Sequence, residues 1–418
     1  MSLLYIDPGT GSMLLSLFIG LATAAVFGLR ALFIKLQFFF SGGKRDKTAL
    51  LDAIPYVIYS DHKRYWNVFK PICDEFEKRK IPVTFYTQSS DDPALAENYE
   101  FVKTEFIGEG NKGFAKLNYL NANIVLSTTP GLDVYQWKRS KKVKWYVHVS
   151  HAIGSLAGYR MFGLDYYDAV LLDYSSQAED VRKLEELRPS IAKKELITVG
   201  SVVLDNLKIK LDSSGSATEE KEQKVVLVAP TWGESGILTK YGEKFLASLE
   251  KTSYKVIVRP HPQTVVSEKH ILEPLQKKFS NFEWNFDNDN FDVLKKADIL
   301  ISDYSGVIFD FSLVFDKPII YADFAFDTLP YDADWLDYEY WIFRILPQMA
   351  IKLKEEDFSN MQNVIQNALE SSELKNGRDK MRSECWEHVG ESAKRIVDYL
   401  VGKQEKLNDN LSLTDSTK

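Results

Sequence analysis

Three of the six histidines in this chain fall at the ends of short apolar, β-rich runs. His148 and His151 close the run Lys144–Val149, and His261 stands in Arg259-Pro260-His261-Pro262 after Lys255–Val258. An imidazole so placed can take a proton, give one, or bind phosphate once protonated. Two prolines fix the backbone around His261, and Arg259 offers a planar fork that matches phosphate oxygens. A cation and a titratable ring held this rigidly point to phosphate chemistry rather than to an ordinary turn. His151 lies past its strand, ahead of Gly154-Ser155, and is the better candidate for a base facing the other domain. Gly154 and Ser155 are the acceptor-side residues. His148 alternates with the strand and reads as a core ring. His62, His270 and His388 sit in helix or linker contexts and read as surface or packing residues.

Two further loops complete the set. Ala229–Gly236 follows a buried strand; Gly233 and Gly236 permit close backbone approach to a ligand, Thr231 offers a hydroxyl, and Trp232 lies between them. Taken alone it would pass as a plain strand–helix connection. Ser302-Asp303-Tyr304-Ser305-Gly306 lies between a strand and a helix predicted over Val307–Phe315. The free N–H groups and positive dipole end of that helix accept phosphate, and Ser302 and Ser305 add hydroxyls. N-capping by Asp303 or Ser305 accounts for either residue singly but not for the cluster. The donor-binding candidates are therefore Arg259, Thr231, Trp232, Gly233, Ser302, Asp303, Ser305 and Gly306. Asp287-Asn288-Asp289 has an Asp-x-Asp form, but its surroundings are rich in turn formers and it reads as a loop. No metal site, cofactor or Walker-type glycine loop is expected.

Elements that could hold these loops alternate along the chain. Strands are predicted over Tyr56–Tyr59, Pro82–Thr87, Ile124–Ser127, Lys144–Val149, Ala169–Leu172 and Leu196–Val199, with helices over Lys63–Arg79 and Ser175–Leu187, the latter N-capped by Ser175. A polar stretch, Leu211–Gln223, reads as a hinge or linker. Beyond it come strands over Val225–Ala229, Lys255–Val258, Ile299–Ile301 and Pro318–Tyr321. Helices over Tyr241–Leu249, Glu268–Phe279 and Phe291–Lys296 separate them. Alternation of this kind implies βαβ units and parallel sheets, whose ligands bind beyond the carboxyl ends of strands. The expected organisation is a membrane anchor and linker over 1–43, a Rossmann-like acceptor domain over 44–210, a Rossmann-like nucleotide-donor domain over 211–354, C-terminal helices over 355–402 and a frayed polar tail over 403–418.

Bulk properties narrow the partners. The 418 residues carry a net charge of −7, against the basic excess of a nucleic-acid binder. Two cysteines, Cys73 and Cys385, supply neither a disulfide framework nor metal-ligand spacing. Met13–Leu29 is uncharged and just long enough to cross a bilayer, and Arg30 and Lys35 can snorkel to extend it. Positive charge follows the apolar run (Lys44, Arg45, Lys47) rather than preceding it, unlike a signal peptide. The positive-inside rule then puts the body in the cytoplasm, on a single-pass or peripheral anchor at the cell membrane.

The stretches VVLVAPTW, VIVRPHP, ADILISDYSGVIFDF and KPIIYAD, in that order, resemble the CDP-glycerol glycerophosphotransferase family of teichoic-acid-type polymer synthesis. HVSHAIGSLAGYR, YYDAVLLDYSSQAEDVRK and ITVGSVVLD extend the resemblance, which spans roughly Lys144 to Phe324. It implies a GT-B fold, that is, two Rossmann-like parallel-sheet domains facing a cleft, here preceded by the N-terminal membrane helix. It further implies a CDP-alcohol donor and transfer of glycerol phosphate or a similar polyol phosphate to a lipid-linked or polymeric acceptor. The family's two functional histidines fall on His151 and His261, and its Ser-Asp-Tyr-Ser loop on Ser302–Ser305. Where the family's polymerases and primases carry His-Gly-Thr-Pro-Leu-Lys, this chain has His151-Ala152-Ile153-Gly154-Ser155-Leu156, the mark of a divergent branch. A GT-B glycosyltransferase using a nucleotide sugar is the second reading of the same residues.

Overall fold

The computed structural model describes residues 53–159, 162–215, 222–287, 289–322 and 339–415. Thirteen strands form two wholly parallel sheets among these residues. The first contains β1 (Ile54–Ser60), β2 (Val83–Thr87), β3 (Val102–Phe106), β4 (Ala122–Ser127), β5 (Val143–Val149), β6 (Ala169–Leu172) and β7 (Glu195–Thr198), in the order β3-β2-β1-β4-β5-β6-β7. The second contains β8 (Val225–Val228), β9 (Lys255–Val258), β10 (Glu283–Trp284), β11 (Ile299–Ser302), β12 (Ile319–Ala322) and β13 (Ala350–Leu353), in the order β10-β9-β8-β11-β12-β13. β4, β6, β8, β11 and β12 are buried at every position. That continuous burial is the signature of parallel strands covered by helices on both faces.

Strand order reverses between β1 and β4 in the first sheet and between β8 and β11 in the second. A crevice opens at each reversal, beyond the carboxyl ends of the flanking strands. Four chain segments are thereby placed at the crevices: Asp61–Tyr65 after β1, Thr128 after β4, Ala229–Gly236 after β8 and Asp303–Gly306 after β11.

The helix Val202–Ser213 connects the two sheets, and Val203 on it packs against the apolar cores of both. Leu204 and Leu207 of the same helix join the core around β8 and β11, where a truncation such as Leu204→Ala would cost about 2–5 kcal/mol. Asp205, buried, accepts hydrogen bonds from Trp386 Nε1 (2.8 Å), Gly390 N (2.8 Å), Ser392 N (3.0 Å) and the Ser392 hydroxyl. From this clasp the helix Ser392–Asp415 returns to the first sheet, where Ile396, Val397 and Leu400 share a core with Tyr56, Ile58 and Phe76.

Several expectations change. The helix predicted to begin at Ser175 spans Gln177–Leu187, and Ser176 precedes it without a side-chain cap. Residues 211–213 complete the helix Val202–Ser213 instead of opening a linker, while 216–221 lie outside the described residues. The tail from Lys403 continues as helix to Asp415, because Lys403 is anchored to Glu195 (2.6 Å) and sits over the Trp145 ring at 3.3 Å. The helix over Val307–Phe315 is one α-turn, Val307–Phe309, that widens into a π-turn over Asp310–Val314. The membrane segment falls outside the described residues, among which no helix is long and apolar enough to cross a membrane.

Candidate functional site

The carboxyl edge of the second sheet is tied together from within. Asp303, fully buried, accepts from the backbone N–H of Thr231 (2.8 Å) and of Ile237 (3.1 Å), so it joins the loop after β11 to the loop after β8. Burial pushes its carboxyl up to about 7, against the opposing pull of those N–H groups. Ser302, also without exposed surface, donates to Ala229 O (2.6 Å). These two side chains therefore position the edge, tying the loop after β11 to the loop after β8. Gly233 takes φ +82° and donates its N–H to both carboxylate oxygens of the buried Glu268 (3.2 Å each). Trp232 is half exposed, with its ring 6.4 Å from that of His261. Ser305 and Gly306 stand at the start of the helical turn, where Gly306 is exposed and no side chain caps the first N–H groups.

His261 is the N-cap of the helix Pro262–Ser267, and its Nδ1 accepts from Gln263 N (3.1 Å). A neutral ring whose Nδ1 accepts carries its hydrogen on Nε2, so His261 presents an N–H donor. Burial, and next the charge of Arg64, hold it at about 4, with Glu268 opposing. Arg259 lies on the same loop but is already engaged. It donates to Asn285 Oδ1 and to Asp287 O (2.8 Å), fixing the loop on which Asp287 stands.

The first sheet contributes His151 at the tip after β5. Its Nδ1 is 3.3 Å from Thr128 Oγ1, and its ring meets the ring of Tyr65 edge-on at 5.0 Å. Burial first and Arg64 second depress it to about 4, so both histidines are neutral at physiological pH. Gly154 and Ser155 follow: Gly154 O accepts from Gln177 Nε2 (2.7 Å), and Ser155 Oγ donates to Asp180 (2.6 Å) while capping the turn Leu156–Gly158. The Ser155 hydroxyl thus shapes its loop. His148 is a core ring as expected, wedged edge-on between Tyr159 and Tyr167, yet neither ring nitrogen has a hydrogen-bond partner among the described residues.

The two domains meet at these tips. A cavity of about 190 Å³ is lined by His151, Gly154 and Ser155 from one side and by Tyr304, Gly306 and Trp341 from the other. A Cβ at Gly306 would lie 3.7 Å from that of Ala152. His151 also lines a second cavity, of about 210 Å³, with Arg64 and Lys210. The structure therefore brings His151, Gly154, Ser155 and Gly306 together, and leaves His261 and Trp232 on the two neighbouring loops after β9 and β8, with His261 within reach of the Arg64 charge. Asp289, from the Asp-x-Asp stretch, is paired with Lys210 (2.8 Å), and no group of three metal-ligating side chains exists among the described residues. Sequence reasoning missed Thr128, Arg64 and Trp341. The first two follow β4 and β1, and the carboxyl-end rule applied to those strands would have found them.

The chain is 26% identical over 288 residues to the teichoic acid glycerol-phosphate primase of Bacillus subtilis (strain 168), covering 60% of this chain and 70% of the relative. It is 27% identical over 194 residues to the teichoic acid poly(glycerol phosphate) polymerase of Bacillus spizizenii, covering 44% of this chain and 45% of that one. The solved wall teichoic acid polymerase TagF superposes with a TM-score of 0.57 at 16% identity, over 87% of this chain and 91% of the other, which makes the fold GT-B-like. Residues 191–402 match the CDP-glycerol:poly(glycerophosphate) glycerophosphotransferase family. With its two parallel sheets and a histidine-bearing crevice between them, the chain is an enzyme that belongs to that family.

Proposed function

We propose that this enzyme moves glycerol phosphate, or a similar polyol phosphate, from a CDP-activated donor to a lipid-linked or polymeric acceptor in cell-surface polymer synthesis. The observation that carries this reading is the single cavity in which His151 faces the uncapped helix start at Gly306. The donor diphosphate lies against the N-terminal end of that turn, at Gly306. An acceptor hydroxyl attacks the distal phosphorus, a new P–O bond forms, and the bond to the departing cytidine monophosphate breaks. His151 takes the hydroxyl proton through Nε2, provided that its Nδ1–H donates to Thr128. A base so placed contributes about 10²–10⁴-fold. The Nε2–H of His261 meets charge developing on the phosphoryl oxygens. The apolar segment Met13–Leu29 holds the body at the cytoplasmic face of the membrane, where a lipid-linked acceptor is presented.

The test uses the purified full chain with radiolabelled CDP-glycerol and a lipid-linked acceptor. Label is expected in the acceptor with wild type, and His151→Ala should abolish most of it while keeping the wild-type melting temperature. Stabilisation by UDP- or GDP-sugars but not by CDP-glycerol in a thermal-shift assay would instead select a nucleotide-sugar glycosyltransferase.

A further inference from the structure

His151 lines two cavities. The one at the helix start is walled by aromatic rings and backbone; the other, of about 210 Å³, sets Arg64, Lys210, Asn206, Asn290 and Asp310 into a wall that is otherwise apolar, with Val68, Val203 and Leu207. Among the described residues no carboxylate forms an ion pair with Arg64, which is exposed and stacks its guanidinium over the Tyr65 ring at 5.0 Å. Asp61 feels its charge without pairing with it. The turn that carries Arg64 is braced: His62 Nδ1 accepts from Arg64 N (3.2 Å), and Ser60 Oγ donates to His62 O (2.9 Å). Asn206 is held by a bond from its side chain to Asn67 O (3.1 Å).

We propose that the cavity between Arg64 and Lys210 is the acceptor subsite, which binds a phosphodiester group through the Arg64 guanidinium and presents the neighbouring hydroxyl of the same unit to His151. The inference rests on the donor reading above, because a donor at the Gly306 helix leaves this as the open side of the base. A guanidinium fork suits two phosphate oxygens, and hydrogen bonds between ionised partners are stronger than neutral ones. Lys210, already paired with Asp289, adds a second positive end to the cavity. Asp310 accepts from the Asn290 side chain, and burial pushes its carboxyl up to about 7, which weakens its opposition to an anion. Arg64 is also placed to sense both histidines, since its charge lowers each of them.

Binding by the full chain decides the matter without turnover. Calorimetry with a short, water-soluble oligo(glycerol phosphate) and, separately, with CDP-glycerol is run on wild type, Arg64→Gln and the control Lys208→Gln. Lys208 lies on the helix Val202–Ser213 but pairs with Asp212 outside the cavity. Arg64→Gln should weaken the oligomer at least tenfold and leave CDP-glycerol unchanged, with Lys208→Gln like wild type. Equal oligomer binding by Arg64→Gln and wild type, or no oligomer binding by wild type, overturns the subsite. Loss of CDP-glycerol binding in Arg64→Gln assigns the residue to the donor and overturns it too. Wild type that binds the oligomer through Arg64 but ignores CDP-glycerol leaves the subsite standing and sinks the donor reading.

Discussion

The two histidines at the crevice are alike in charge and unlike in attachment. Both are neutral rings held near 4 by burial and by the same arginine. The backbone N–H of Gln263 fixes the tautomer of His261 and commits it to donating. His151 is held by the Thr128 hydroxyl, which can accept from Nδ1 or donate to it. A ring with a fixed hydrogen suits a static oxyanion contact, whereas a ring on a reversible hydroxyl can take up a proton and release it. The attachment, more than the residue type, divides the labour.

That contrast can be attacked directly. The largest expected effect is His151→Gln, which removes the ring that takes up the proton in the proposed step and should lower kcat by about 10²–10⁴-fold. For wild type, kcat should stay level from pH 8 down to about 5, because the base remains unprotonated until its depressed pKa of about 4 is approached. A profile breaking near 6.5 would remove His151 as the base. Next, His261→Ala should cost about 10²–10³-fold, but His261→Gln, whose amide can stand where Nε2–H stood, only about tenfold. Equal losses in the two variants would refute a purely donating role. Thr128→Val should then lower kcat by about tenfold and leave donor KM unchanged, while Thr128→Ser restores the rate, since only the hydroxyl orients the ring.

The smallest effect concerns stability. The folded pKa values of His148 (about 3), His151 and His261 (about 4) lie below that of an unfolded histidine near 6.5. Between these limits the unfolded chain binds more protons, so stability is full above pH 6.5 and declines as pH falls toward 4. The melting temperature should drop by several degrees from pH 7 to 5, and His148→Phe should flatten that slope without touching the contrast at the crevice. An unchanged slope would show that His148 is not the main acid-sensitive ring.

Much of the frame was legible in the sequence because parallel strands buried on both faces read as apolar runs. Lys255–Val258 and Ala169–Leu172 appear as predicted. Strands β3 (VKTEF) and β13 (AIKL) were not legible: they lie at sheet edges, where charged side chains face water and break the run. At the site, the His151 and Gly306 loops were singled out because they lie beyond the carboxyl ends of predicted parallel strands. Arg64 was hidden at the start of the helix predicted over Lys63–Arg79, and only strand order reveals that it sits at a switch point. The engagement of Arg259 by Asn285 and Asp287 depends on a contact between loops, which local pattern cannot report.

The helix that returns through the Asp205 clasp to β1 and the helix Trp66–Lys78 also sets an order of assembly. A ribosome delivering about 5–20 residues per second releases β1 to β7 well before Ile396, Val397 and Leu400 exist. Until they arrive, the nascent first half carries an uncovered apolar strip, and its completion waits on the translation of the second half. Premature termination anywhere in the later region would therefore injure the earlier one, a liability that inspection of either half alone would not disclose.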